Sequence, residues 1–269
     1  MQALGVGTVL KNAFDVFFKN LFIALFIAVI CGGIGLPLCW GLANDLSARL
    51  GITDGKMLLF ASELILSLLS CAWAGLVGSW AAPAQIYLWV QRERNQPASF
   101  AGAINYGLNR FSRVFKAHTL AYSAVVLGNI VVIPGIIFGL QFAFVDAIAT
   151  LDAQEPRPLR RSARLTSARR GTIFRTFLVF FFAWWLPYQL VLTFLITQMP
   201  LWLQLVLGSV DHLVLVLVDL CMVQLYLDMF RKRPENPQPA LESAAAALPG
   251  GQNENPWSAT SPESEKPRS

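Results

Sequence analysis

Apolar residues in this chain gather in long runs parted by short polar stretches, and Leu21–Ile30, Val125–Val145 and Phe177–Ile196 are the densest. In helical form about 20 apolar residues cover the roughly 30 Å hydrocarbon thickness of a bilayer. Backbone polar groups in lipid must also be satisfied within their own segment. The pattern therefore predicts an all-α polytopic membrane protein. Six transmembrane helices are expected within a membrane domain 1–233, at residues 20–43, 57–90, 116–133, 135–151, 174–198 and 201–230. One helix over 116–151 would be about 54 Å long, and Pro134-Gly135 suits a tight turn that divides it. Pro83 is expected to end or kink the second span. Gly208 is expected to part an interfacial piece, Leu201–Leu207, from a spanning helix that starts near Val210.

Three amphipathic stretches lead into spans and are expected to lie as surface helices on the cytoplasmic face. In the first, Val6, Val9, Leu10, Ala13, Phe14, Phe17 and Phe18 share one side at helical spacing. The second, Ser99–Phe111, groups Phe100, Ile104, Leu108 and Phe111, with Ser99 as a candidate N-cap. The third, Pro158–Gly171, is rich in arginine. Each is followed by an aromatic-basic pair: Phe18-Lys19, Phe115-Lys116 and Phe174-Arg175. The arrangement reads as three copies of a surface helix plus a helical hairpin, or as the anchor any helix entering from the cytoplasm needs.

Composition agrees with this layout. Hydrophobic residues make up 55% of the 269 positions and charged residues 14%, too few polar groups to cover a water-soluble fold of that length. Charge then orients the spans. With six of them and both termini cytoplasmic, 19 of the 21 Lys and Arg fall on one side, and Arg49 and Lys56 on the other. Five spans would send the arginines of 157–175 across, against the positive-inside bias. Basic residues at the ends of apolar runs fit anionic lipid headgroups, not nucleic acid, as the partner. The expected location is the bacterial plasma membrane, with a homo-oligomer or a membrane-protein partner left open. Residues 234–269 hold seven prolines among Asn, Ser, Glu and Gly and are expected to form a disordered cytoplasmic tail.

Candidate chemistry is sparse. The sequence holds four cysteines without a CxxC pair and two histidines outside metal-ligand spacing, so no metal or cofactor is expected. GxSxG, HExxH, P-loop and paired-carboxylate patterns are absent, and a non-enzymatic protein is expected. Ser209, Asp211 and His212 invite a relay, but on one helix Asp211 points away from the other two; a polar cap at the outer interface is the simpler reading. His118 is expected to make an interfacial hydrogen bond.

Acidic residues within apolar runs need partners, because an Asp at the bilayer centre costs about 2.5–3.5 kcal/mol on insertion scales. Glu63 is expected to reach water, Asp228 to pair with Arg231, and Asp146 to pair with an arginine of the third surface helix. Asp219 lies about 13 Å along the axis from Asp228, beyond every Lys and Arg. It is either a hydrogen-bonded structural group, with Asn129, Gln189 or Tyr188 as neighbour, or a site for a proton, a cation or a polar substrate. The basic cluster also has two readings: general anchoring to anionic lipid, or a headgroup pocket in which Arg160, Arg161, Ser162 and Thr166, beside Arg169 and Arg170, surround a phosphate.

The order Val132-Ile133-Pro134-Gly135-Ile136-Ile137, Phe142–Asp146, Leu159-Arg160-Arg161-Ser162, Leu165-Thr166, Arg169-Arg170-Gly171, Ile173-Phe174 and Leu225-Tyr226-Leu227-Asp228 resembles the membrane domain associated with bacterial glycerophosphodiester phosphodiesterases and its stand-alone relatives. Phe230 departs from that group, which often has arginine there. The resemblance implies a membrane domain without the appended metal-dependent catalytic barrel, which needs about 200 residues, so phosphodiesterase activity is not implied. The expected function is lipid or envelope homeostasis, or scaffolding of membrane partners. The alternative is a small transporter or channel that uses Asp219.

Overall fold

A computed structural model describes residues 5–51, 55–129, 131, 133–152, 155–167, 169–195 and 200–231. The tail expected over 234–269 lies outside them, as do the side chains of Glu63, Asn129 and Arg231. The described residues are helical, with no strand among them. In chain order they form α1 (Val6–Lys19), α2 (Leu21–Ala28), α3 (Gly35–Arg49), α4 (Gly55–Trp73), α5 (Ser79–Glu93), α6 (Phe100–Asn129), α7 (Ile133–Phe142), α8 (Val145–Leu151), α9 (Pro158–Ser167), α10 (Arg170–Phe180), α11 (Leu186–Leu195) and α12 (Leu201–Arg231).

Five continuous segments are long and apolar enough to cross a membrane: Leu21–Arg49, Leu64–Glu93, Ile133–Leu151, Arg170–Val191 and Leu201–Met229. The segment expected at 116–133 is instead the second half of α6, fused to the stretch Ser99–Phe111 that was expected to be a separate surface helix. Its apolar part, Ala117–Leu127, is short and interrupted by His118, Thr119, Tyr122 and Ser123. Ser99 caps α6 as its position implied: its Oγ accepts from the Gly102 N–H at 3.0 Å. The turn before α7 precedes Pro134, which sits in the first turn of α7, where a missing N–H has no helical partner to lose.

The tightest packing lies at the end of the bundle that gathers α1, α8 and the facing ends of α5, α6 and α12. Trp89, Tyr106, Phe144, Ile148 and Tyr226 are fully buried there. Val9, Ala13, Val16 and Phe17 of α1 close this core, while Phe14 and Phe18 of the same amphipathic stretch stay exposed. Trp89 ties α5 to α12 by donating from Nε1 to the Leu220 carbonyl at 2.9 Å.

Three helices widen into a π-helical turn: Val29–Ile34, Ala74–Gly78 and Phe181–Trp185. A proline follows each, at Pro37, Pro83 and Pro187. Proline has no N–H and crowds the carbonyl four residues back. Those carbonyls belong to Gly33, Ser79 and Ala183, in or at the edge of the wide turns, which relieve the clash. Pro83 was expected to disturb its helix; the same device recurs at Pro37 and Pro187. The Cys31 carbonyl, in the first wide turn, accepts from Trp73 Nε1 at 2.8 Å.

Gly208 does not interrupt α12, which runs unbroken from Leu201 to Arg231. It is instead a crossing point. A Cβ on Gly32 would lie 2.1 Å from the Gly208 carbonyl oxygen, and one on Gly33 2.4 Å from Ser209 Oγ. Two helix backbones meet here because neither carries a side chain at the contact.

Candidate functional site: a polar cluster inside the bundle

The apolar seam between α6 and α8 places the site. Val114, Ala117 and Ala121 of α6 pack against Val145 and Ala149 of α8, which brings the next residues round, His118 and Asp146, face to face. His118 Nδ1 lies 2.9 Å from both carboxylate oxygens of Asp146. Gly78 makes room, since a Cβ there would be 2.4 Å from His118 Nε2. This corrects two expectations. Asp146 pairs with a histidine of α6 and not with an arginine of the surface helix, and His118 is a member of the cluster and not an interfacial group.

Asp219 of α12 lies within electrostatic reach of both His118 and Asp146. Gln85 of α5 lies near it; Tyr188 stacks on Trp184 with ring centroids 5.8 Å apart. Asp219 keeps exposed surface in the middle of α12. Val218 and Leu220 on either side of it are buried. Asp146 keeps a third of its side chain accessible. Gln85 is 3% exposed, and its Oε1 has no hydrogen-bond partner among the described residues. Gln85 was not singled out in the sequence, although an amide inside the apolar run of a spanning segment was signal enough.

Other candidate residues disperse. Ser209 and His212 face Gly33 and Gly32, whereas Asp211 accepts from Trp184 Nε1 at 3.0 Å, so the three do not form a relay. The four residues expected around a phosphate do not converge either. Ser162 and Thr166 are fully buried. Ser162 Oγ donates to the Gln141 carbonyl at 2.7 Å and accepts from the Phe144 N–H at 3.2 Å, closing the break between α7 and α8. Arg161 turns inward to Asp152 and to Glu155, the latter at 3.0 Å. Arg169 pairs with Asp228 at 3.6 Å, and the expected Asp228–Arg231 pair involves a side chain outside the described ones. Arg160, Arg164, Arg170 and Arg175 remain exposed.

Burial raises the Glu155 carboxyl. The Arg157 N–H and the Arg161 guanidinium outweigh it and hold the group below its ordinary value of 4.5. Among the described residues no group of three or more His, Cys, Asp or Glu is placed to hold a metal ion. Compared with known proteins, the chain matches no family model, no curated protein and no solved structure.

Proposed function

We propose that this chain is a non-enzymatic multi-pass protein of the bacterial plasma membrane, and that its working part is the cluster around Asp219, as in a small transporter or channel. The observation that carries this reading is a carboxylate with exposed surface in the middle of the apolar segment Leu201–Met229, between the buried Val218 and Leu220. Ionisable groups are expensive in lipid and occur there facing a bundle interior or a water-filled cavity. Asp219, within electrostatic reach of His118 and Asp146, fits that pattern.

Six spans with both termini cytoplasmic fit this reading. Residues Gly128 and Gly135 bring the end of α6 against the start of α7, and α7–α8 returns beside α6. If Ile133–Leu151 crosses the bilayer, its antiparallel neighbour, about 45 Å long, covers the same thickness. The kinship with the phosphodiesterase-associated membrane domain belongs to the same proposal, without its hydrolytic activity. Reporter fusions near Gln96, Pro134 and Pro156 test the wiring: the first and last answer from the cytoplasm and Pro134 from the outside. Solute-driven flux in proteoliposomes, lost in Asp219→Asn with folding intact, tests the function. Unchanged flux in that variant overturns it.

A second reading, lipid or envelope homeostasis or scaffolding, is favoured by the exposed Arg160, Arg164, Arg170 and Arg175. Each contributes about 1 kcal/mol beside an anionic leaflet. Native mass spectrometry of the gently extracted protein is expected to retain anionic lipid and to report subunit number; a lipid-free monomer counts against this reading.

A further inference from the structure

A second carboxylate lies in α12, apart from the Asp219 cluster. Asp211 was expected in a polar cap at the end of its helix. Because α12 runs unbroken from Leu201, Asp211 lies about 15 Å along it, well inside the apolar segment Leu201–Met229. It is half-buried. Its Oδ1 accepts from Trp184 Nε1 at 3.0 Å, and among the described residues it forms no ion pair and takes no other hydrogen bond. A carboxylate in apolar surroundings is unfavourable without a countercharge. The neighbouring segment brings aromatic rings to it instead. Trp184 and Tyr188, one helical turn apart, are on the inward side of Arg170–Val191, while Phe181, Phe182 and Trp185 are exposed. The Trp184 and Tyr188 rings stack with centroids 5.8 Å apart and planes inclined at 23°.

The indole N–H lies in the plane of its ring, so its bond to Asp211 holds the carboxylate at the ring edge and leaves the π faces free of that contact. A cation over such a face is attracted by the ring quadrupole, and tryptophan is the strongest ring for it. Hydrogen bonding to an anion polarises the indole in the direction that strengthens this attraction. A metal cation takes six or so hard oxygen ligands, and no group of that kind is found among the described residues. A carboxylate at the edge of stacked aromatic rings suits a cation that carries apolar surface. The packing leaves a way in. α10 packs against α12, whereas α11, beyond the Trp184–Asp211 link, has no comparable neighbour apart from the wide turn it continues, and its Leu190 and Val191 are exposed. We propose that Asp211, Trp184 and Tyr188 bind an amphiphilic organic cation, a quaternary ammonium or phosphonium with apolar substituents, which enters sideways from the bilayer between α11 and α12. Asp211 supplies the countercharge, Trp184 the π face and the bond that orients the carboxylate, and Tyr188 the ring that backs Trp184. The inference goes beyond the Asp219 reading and shares no residue with it.

Equilibrium dialysis of the full chain in maltoside micelles against radiolabelled tetraphenylphosphonium tests the proposal. Saturable binding to one site per chain is expected, and tetraphenylborate, of the same shape and opposite charge, should show none. Asp211→Asn should weaken binding more than about tenfold. Trp184→Phe, which keeps a ring but loses the N–H and the stronger π face, should weaken it about threefold to tenfold. Asp211→Glu, which keeps the charge, should bind more tightly than Asp211→Asn. Uptake of the phosphonium that does not saturate overturns the proposal, as does equal binding of the borate or an affinity unchanged in Asp211→Asn. If Asp211→Asn does not fold, an affinity unchanged in Trp184→Phe overturns it equally. Choline displacing the probe as well as unlabelled tetraphenylphosphonium does would show that apolar substituents contribute nothing, and overturns the amphiphilic assignment. Absence of phosphonium binding beside flux that depends on Asp219 sinks this inference alone, and phosphonium binding without such flux sinks the transport reading alone.

Discussion

Replacing Gly32 with alanine tests the crossing on which the bundle's geometry depends. The new Cβ would lie 2.1 Å from the Gly208 carbonyl oxygen, 2.7 Å from His212 Cβ and 2.9 Å from the Gly208 carbonyl carbon. Two of these atoms are helix backbone, so no side chain can swing aside. An ordinary carbon–oxygen contact is more than about 1 Å longer, and the two helices must separate by about that distance. Overpacking of this kind costs about 1–3 kcal/mol. Alanine also gains up to about 1 kcal/mol of helix propensity over glycine, which Gly41→Ala isolates, because a Cβ at Gly41 meets nothing within 4 Å. The propensity gain is common to both variants, so their difference reports the clash. Thermal unfolding of the purified protein in detergent is the assay. Gly32→Ala is expected to melt several degrees below Gly41→Ala, and Gly41→Ala at or slightly above the wild type. Equal melting of the two variants would refute the close approach of α12 to the wide turn at Val29–Ile34.

Three further perturbations address other joints. Ser162→Ala removes the acceptor of the Phe144 N–H and the donor to the Gln141 carbonyl, and should destabilise the protein by about 2 kcal/mol with faster hydrogen exchange confined to the junction of α7 and α8; an unchanged exchange pattern counts against the bridge. Trp89→Phe deletes the buried link to Leu220 and should lower stability by about 1–3 kcal/mol, read by the same melting assay; a neutral result would mean that the link contributes nothing. Glu155 has a lowered value in the folded state, so its stabilisation is fully present above 4.5 and is lost as pH falls through the folded-state value beneath it. The wild type should therefore melt above Glu155→Gln at neutral pH and converge with it in acid. A gap that persists at the acid end refutes the assignment.

Much of the fold was legible in the run lengths, because hydrocarbon thickness and the need to satisfy the backbone inside each segment act on a stretch of chain by itself. The amphipathic stretches at α1 and α9, the cap at Ser99 and the disturbance at Pro83 follow from neighbours in sequence. The disagreements fall where two distant segments meet. Gly208 reads as a helix breaker in isolation, but opposite Gly32 it is a contact surface inside an unbroken helix. Ser162 and Thr166 look like phosphate ligands beside arginines, yet α9 tucks their side of the helix against Gln141 and Phe144.

The cluster shows the division most clearly. Local rules marked Asp219 and Asp146 as charges that need a partner, since the cost of burying a carboxylate does not depend on the fold. Which partner answers is decided by packing. Small residues at 114, 117 and 121 against 145 and 149 rotate His118 onto Asp146, and α5 carries Gln85 to Asp219. Residues 28 or more positions apart in the chain have no local signal of their meeting. Hydropathy, a sum over consecutive residues, determined that this chain folds as helices long and apolar enough for a membrane. Only the tertiary structure decided how those helices rotate about their axes, and with that which polar groups meet.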